Sequence, residues 1–569
     1  MTGSPFQPPT WWSDPGPLGP VLSSALSASA GQPICVWATQ DKYPQPAATA
    51  IAAVAAVDMH SGIRSVTFTF SSAVTIGGSS VTTHTVAAPR WCDVWGEGHF
   101  ADYWCVRFDA GVLSSVTVDV SVTTMDGVAH TGTSLMGSGK ESRVVTFVSS
   151  PTRVYVDASK ADDSGDGLTA GTAKKTLSAV FTVASTTADE VIVAAGSYTM
   201  PTSWSMGARS KMLRWIGADR DTVTFEATSG TSQPTMGSWN AWENITIHFP
   251  GLSLRHSSGT NHVVYRNVKF DFDNVVFPAE SAWFGLADPY IPFYQSSNIA
   301  IVNVEQSKGD SGITLLPLGG VNCSNFIFSG FKVHGTGTGM RPMCTNVLVE
   351  RIEEYDNAME ADGWDPGTHF EAVHTYEGTA TAIVNGCYRY ILLWGNGDDE
   401  FNYNFTYLED SSDSVAIYNN VARQVQSTQQ FIQMGGVYNN TQIAHNTITA
   451  SDSDGLLRGV RFSMGPGSNT VCVNNFVYAT SQESTAFSGG TNMTSDYNAI
   501  TNASSIDGAH TQLLANEAAA GFADAANLDF SITDDSPLAG AGRATDIRFD
   551  RDGMPRTVTA PSIGAKEAP

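Results

Sequence analysis

A strand–corner–strand unit recurs through the middle of this chain. VVYRNVKFDF, IAIVNVEQ, FIFSGFKVH and VLVERIEEY come first, followed by VAIYNNVA, IAHNTITA and VCVNNFVYA. Each joins two short apolar strands across one or two residues. The corner residues are Asn267, Asn303, Gly330 and Arg351, then Asn419, Asn446 and Asn474. They stand 36, 27 and 21 residues apart in the first set, and 27 and 28 in the second. A coil of a three-sided parallel β-helix takes roughly 20 residues or more. Each step therefore reads as one rung, sometimes with an inserted loop. Asn and Gly suit the corner because left-handed backbone costs them least. Stacking would align the corners, so that Asn amides bond along the ladder. A β-propeller is the competing repeat, but its blades are longer and carry other signatures.

The 569 residues hold more than this one unit. Residues 1–30 are rich in Pro, Ser and Trp and lack periodicity, and read as an extended N-terminal arm. Trp11 and Trp12 are costly to leave in water, so the arm is expected to dock. Residues 31–150 alternate with period two, as in SVTFTFSSAVTIGG, SVTVDVSVTTMDG and SRVVTFVSS, with a hairpin signal at Asp126-Gly127. They predict an immunoglobulin-like β-sandwich. The β-helix then spans 151–500, and 501–569 form a C-terminal capping segment. The fold class is all-β.

Both ends of the repeat region carry a resemblance. Residues 151–200 give a strand, a Gly/Asp loop, a helix near 174–185 and a further strand. Asp163, Gly165, Gly167, Gly171, Lys175, Thr176, Leu177, Val193, Gly196 and Tyr198 stand where right-handed parallel β-helix proteins of the pectate-lyase-like superfamily carry similar residues. The tail, DFSITDDSPLAGAGRATDIRFDRDGMPRTVTAPSIGAKE, resembles the end of many bacterial and viral β-helix proteins. Its matching positions are Asp529, Phe530, Ser536, Pro537, Gly542, Asp552, Gly553, Arg556, Ile563, Gly564, Ala565 and Glu567. The resemblance covers about 151–569. It implies a right-handed, single-stranded parallel β-helix whose helix shields the open end from edge pairing. It also implies a long polymer, mostly polysaccharide, bound along one face, without naming a chemistry.

Charge concentrates in one place. Residues 353–377 hold Glu353, Glu354, Asp356, Glu360, Asp362, Asp365, Glu371 and Glu377 with His369 and His374, and no Lys or Arg lies between Arg351 and Arg389. HFEAVHTY alternates as a strand, with His369, Glu371 and Val373 on one face and Phe370, Ala372 and His374 on the other. Asp398 and Asp399 follow in GNGDDEF, which resembles a motif of polygalacturonase-like glycoside hydrolases, although the partner motifs of that family are absent. Three uses compete. Glu371, Asp399 and Asp398, with His369 and His374, could perform acid/base work on a glycosidic bond. Asp362 and Asp365 could hold Ca²⁺, the one cofactor under consideration. The third use is a solvated acidic loop. Trp364, Trp394 and Tyr388, with Arg389 and Arg351, are the candidate substrate-binding residues. A lyase would need a base and a neutralised uronate, for which Lys308, Arg341, Arg351, Arg389 and His374 are available.

The formal charge of −25 argues against nucleic acid and anionic membranes as partners. No run of 18 apolar residues occurs, so membrane insertion is not expected. The seven cysteines include no CxxC. Cys92 and Cys105 are either a disulfide or two buried thiols. The N-terminus has neither the basic nor the apolar region of a signal peptide. An arm, a small β-domain and a long β-helix together resemble a phage tailspike. That layout implies a homotrimer located on the virion, joined to other virion proteins through its arm and depolymerising a surface glycan, by hydrolysis before lysis. The alternatives are a secreted bacterial polysaccharide lyase or hydrolase, and a non-enzymatic virion protein.

Overall fold

The computed structural model describes residues 32–569 apart from 133–141, 185–186, 202, 205–208, 210, 228–234, 250–253, 273–290, 308–310, 317–320, 335–337, 356–368, 376–382, 395–401, 409–411, 425–429, 435–437, 451–457, 463–465, 479–486, 489–492 and 502–507. The expected arm lies outside the described residues.

Two small sheets come first. One orders Ile34–Trp37, Ala50–Val57, Ala101–Phe108 and Arg90–Cys92. The other orders Pro44–Gln45, Ser142–Phe147, Ser115–Thr124, Ile63–Ile76 and Ser79–Val86. Pairing is antiparallel except where Pro44–Gln45 joins Ser142–Phe147. Alternation explains the burial. Val116, Val118, Val120 and Val122 point inward and meet Trp37, Val54, Trp104 and Phe108 of the facing sheet.

The chain then enters a parallel, solenoid-like coil. Each rung gives two strands to one long sheet, as with Cys344–Glu350 and Glu353–Tyr355, then Ile383–Arg389 and Leu392–Trp394. A third strand joins a separate eight-stranded sheet, as with His369–Thr375 and Asn402–Leu408. Register carries from rung to rung, with a shift at Tyr438–Asn439: Val347 pairs Gly386 and then Val415, and Glu354 pairs Leu393 and then Ala422. The interior is apolar, with Trp215, Trp242, Tyr265, Phe326 and Phe328 fully buried. The helix Leu177–Ala184 packs Leu177, Val180 and Ala184 into the first rungs.

The expected corners are left-handed at Asn267, Asn303, Gly330, Arg351, Asn419 and Asn474. One expectation is off by a residue: His445, not Asn446, takes the positive φ. Asn446 instead joins a buried amide ladder. Asn420 Nδ2 donates to Asn446 Oδ1 at 3.0 Å, Asn446 to Asn475 at 2.9 Å, and Asn475 to Asn498 at 3.1 Å. A second ladder runs through Asn298, Asn325, Asn346 and Asn385 at 3.1, 2.9 and 2.8 Å, all four left-handed.

The wall formed by the first strand of each rung is covered. Its outward residues Ala241, Val264, Ala300, Ile327, Leu348, Cys387, Ala416 and Ala444 pack in one cluster with Ile34, Val36, Ala53, Ala55 and Tyr103 of the small four-stranded sheet. Strands buried on both faces read as continuous apolar runs, which explains VLV, AIV and FIF.

The segment after 507 packs Ala520, Ile532, Leu538 and Ile563 against Phe476 and Ala499 of the last rungs. It turns back along the coil, where Asn474 Nδ2 donates to the Arg543 carbonyl at 2.7 Å and Asn419 Nδ2 to that of Phe549 at 2.8 Å. Arg556 reaches Asn419 Oδ1 at 2.8 Å and Glu567 at 3.1 Å, all buried. Gly553, at φ +88°, sits so close to Trp91 that a Cβ would collide with the ring.

Two outcomes follow from this packing. Asn446→Ala removes the acceptor of the Asn420 backbone N–H and the donor to the Ile417 carbonyl, both buried, so unfolding free energy in urea should fall by about 2–4 kcal/mol. His256 is buried against Phe293, with Nδ1 at 3.2 Å from the Pro292 carbonyl and Nε2 at 2.9 Å from the Tyr265 hydroxyl. Those partners satisfy the neutral ring, and burial pushes its pKa down from 6.5 to about 3. The unfolded ring binds the extra proton first, so this contribution is complete above pH 6.5 and drains away between there and about 3. His256→Gln should therefore lose about 2 kcal/mol less than the parent on moving from about pH 7 to about pH 5, read by chemical denaturation.

Candidate functional site

The wall formed by the second strand of each rung carries the candidate site. Its strands include Glu305–Ser307, Lys332–His334, Glu353–Tyr355, Leu392–Trp394 and Val421–Gln424. The middle residue of each, from Gln306 through Val333, Glu354 and Leu393 to Ala422, points inward and is buried. The flanking residues form two outward rows, because parallel register superposes them. The row beside the corner reads Lys269, Glu305, Lys332, Glu353, Leu392. The outer row reads Asp271, Ser307, His334, Tyr355, Trp394, Arg423.

Three rings of the outer row stack. His334 lies 5.0 Å from Tyr355 at 11°, and Tyr355 lies 4.7 Å from Trp394 at 9°. All three are half-buried. Two ion pairs run beside them, Lys332 Nζ to Glu353 at 2.9 Å and Arg220 to Glu305 at 3.6 Å, and His334 Nε2 lies 3.7 Å from Glu305. The His334 contact, helped by Arg220 and Lys269, holds the Glu305 carboxyl below its usual range despite burial. Glu353 holds the Lys332 ammonium above its own. Beyond this stretch the wall is covered: Leu392 and Val421 lie under Phe530 and Ala565, and Arg423 pairs with Glu517 at 2.9 Å. The open strip thus ends against the C-terminal segment near Trp394.

The predicted site residues fall in three places. Trp394 is on the open strip. Tyr388 is not: it is 1% exposed inside the coil, which removes it as a sugar platform. Arg389 and Arg351 are likewise corrected from substrate binding to docking, because the small sheet covers their wall. Arg389, 1% exposed, bonds Glu350 Oε2 through Nη2 at 2.8 Å and Nε at 3.0 Å, and Asp102 through Nη1 at 2.7 Å. Tyr103 also donates to Glu350, and Tyr390 to Asp102. Burial works against the Arg389 charge, but Tyr418, Asp102 and Glu350 hold its pKa well above the usual value. Arg351 lies between the rings of Trp91 and Tyr390, 4.8 and 4.6 Å from their centroids, and donates to the Phe100 carbonyl.

His369, Glu371 and His374 belong to the strand His369–Thr375, whose backbone sets Glu371 beside Asn404 and His374 beside Tyr407. Their side chains lie outside what is described. Val373, assigned by alternation to the face of His369 and Glu371, is buried in the core. Asp362, Trp364, Asp365, Asp398 and Asp399 lie outside the described residues. Among the described residues, no group of three or more His, Cys, Asp or Glu could hold a metal ion. Cys92 and Cys105 are free thiols with sulfurs 3.7 Å apart.

His334 and Tyr355 escaped the sequence reading, although a signal existed. Each ring stands four residues after a left-handed corner: Gly330 to His334, Arg351 to Tyr355, Tyr390 to Trp394. The third corner is a tyrosine, and nothing in its residue type announces one.

Fold and wall together define an all-β protein built on a parallel, solenoid-like sheet. No family model and no curated protein matches the chain. Two similar solved structures are glucanases. One is the catalytic domain of a GH87 alpha-1,3-glucanase in complex with nigerose, 10% identical with a TM-score of 0.33 over 86% of this chain and 97% of that one. The other is the catalytic unit of a thermostable GH87 alpha-1,3-glucanase from Streptomyces thermodiastaticus strain HF3-3, 11% identical with a TM-score of 0.24 over 85% and 96%. Likeness at this level transfers no activity. The tailspike expectation is corrected: none of the comparisons supports its virion location, its particle contacts or its pectate-lyase-like label, and these are withdrawn. The homotrimer rested on the same layout and is not carried further.

The junction is testable by itself. Arg389→Met leaves Glu350 and Asp102 buried without their cation, and should cost about 3–5 kcal/mol in equilibrium unfolding.

Proposed function

We propose that this protein is an extracellular polysaccharide-acting enzyme, a glycoside hydrolase whose polymer lies along the open strip. In this reading the coil, 151–500, is right-handed, as parallel crossovers overwhelmingly are. An immunoglobulin-type sandwich, 31–150, buttresses it, and 501–569 close it.

The observation that carries the reading is the stack of His334, Tyr355 and Trp394 on the wall left uncovered. Rungs repeat every ~4.8 Å, so successive polymer units meet equivalent groups. In the sequence Asp398 and Asp399 stand four and five residues after Trp394, and the acidic stretch with Asp362, Trp364 and Asp365 links Tyr355 to the strand that bears Glu371.

The chemistry assigned to them is paired-carboxyl hydrolysis. One carboxyl, kept protonated by its acidic neighbours, donates its proton to the departing glycosidic oxygen. The other, as carboxylate, either activates water on the opposite face of the ring or attacks the anomeric carbon to form a glycosyl ester, which water, deprotonated by the first carboxylate, then cleaves; their separation decides between the two. Asp399 is assigned as one member and Glu371 or Asp398 as the other. His369 and His374 orient them, Trp364 adds a sugar contact, and Asp362 with Asp365 form a Ca²⁺ site that steadies the loop.

The test is release of reducing ends from a polysaccharide panel, read beside the ultraviolet absorbance of an unsaturated lyase product. Asp399→Asn and Glu371→Gln should each lower release by ~10²-fold or more while leaving polymer retention in place. Trp394→Ala should weaken retention about tenfold. Undiminished release by both carboxylate variants would remove the acid/base assignment.

A further inference from the structure

The open strip carries a charge pattern that bears on which polymers can lie there. Its inner row alternates in sign rung by rung: Lys269, Glu305, Lys332, Glu353. Asp271 lies on the same face, and Arg220 reaches in from an earlier rung to Glu305 while also pairing with Asp221 at 3.7 Å. Arg220, Lys269 and Lys332 thus stand against Asp221, Asp271, Glu305 and Glu353. Each cation lies within 4.0 Å of a carboxylate: Arg220 of Glu305 at 3.6 Å, Lys269 of Asp271 at 3.8 Å, and Lys332 of Glu353 at 2.9 Å.

A polymer with one negative group per sugar needs cations in sequence along its path. On this strip every second rung of the inner row presents a carboxylate, and the lysines between them are already neutralised. A uronate would have to displace Glu353 from Lys332 or Asp271 from Lys269, and would then lie a rung from like charge, which is costly. The pairs contribute little stability, being half-exposed. Their consequence is exclusion. The carboxylate-rich sequence from 352 to 388, free of Lys and Arg, and the overall charge of −25 act in the same direction at longer range.

We propose that this alternating ladder selects an uncharged polysaccharide, with Glu305 and Glu353 as the specificity-determining residues that reject polyuronates and sulfated chains. The proposal rests on the reading of the open strip as the polymer site and adds the class of polymer. A neutral glycan makes no demand on the ladder beyond hydrogen bonds from its hydroxyls to the paired side chains, and stacks its ring faces or edges against the aromatic row.

Affinity electrophoresis of the full chain at low salt provides the test, in gels holding a neutral β-glucan, a neutral α-glucan, a galactomannan, polygalacturonate or alginate, the last two with and without Ca²⁺. At least one neutral polymer should retard the protein, with little change on adding salt, and the polyuronates should not. Glu305→Gln with Glu353→Gln exposes Lys332 and Arg220, and should gain polyuronate retention by about tenfold, erased by salt. An unchanged thermal midpoint checks its fold. Retention of the parent by polyuronate as strongly as by any neutral polymer overturns the proposal and leaves the polymer site standing. A folded double variant that gains nothing removes Glu305 and Glu353 as the determinants. If no polymer retards the parent, the polymer site itself falls, and this proposal with it.

Discussion

Two runs of side-chain amides in the coil find their partners one rung away. Parallel strands stacked this way leave no slack, because a side chain at a given rung position has the same neighbours above and below throughout. Asn420, Asn446, Asn475 and Asn498 share one continuous chain of amide bonds, and Asn298 to Asn385 another. A slip of one residue would leave every donor in such a chain unpaired in an apolar interior. The ladders thereby hold the register that lines up everything else, the outer row of rings included.

The same geometry decides which wall is available. The first wall is apolar outward as well as inward, and the small four-stranded sheet lies on it. That junction is more than hydrophobic. Arg389 is buried between Glu350 of the coil and Asp102 of the sheet, and Arg351 lies between rings from both sides. Pairs of this kind contribute little net stability over apolar replacements, but they penalise any other arrangement of the two faces. The C-terminal segment completes the cover, threading Phe549 and Gly553 against Trp91 and closing over Leu392 and Val421. What remains open is a strip of the second wall bearing rings and compensated charge.

Much of this was legible before any coordinates. Short paired apolar strands with Asn or Gly at the bend admit few folds, and six of the seven proposed corners are left-handed as expected. The exception, Asn446, shows the limit. Two adjacent residues could each have taken the bend, and only the interior amide chain decides that His445 does. Tyr390 shows it again, as a left-handed corner with no local reason to be one. The site was less legible. Tyr388, Arg389 and Arg351 are plausible sugar contacts as residue types, yet all three are taken up by packing. His334 and Tyr355 went unnoticed because their meaning depends on stacking over Trp394.

Periodicity and residue type, read along the chain, therefore determined that this protein is all-β, that its middle coils in parallel, and that its carboxylates gather around 353–400. They act locally, through backbone preference and the alternation of apolar side chains. Which wall faces water, which cations are spent on docking, and which residues distant in sequence share a row were decided by tertiary structure alone. These depend on what packs against each face, and a residue's own neighbours in the chain carry no record of that.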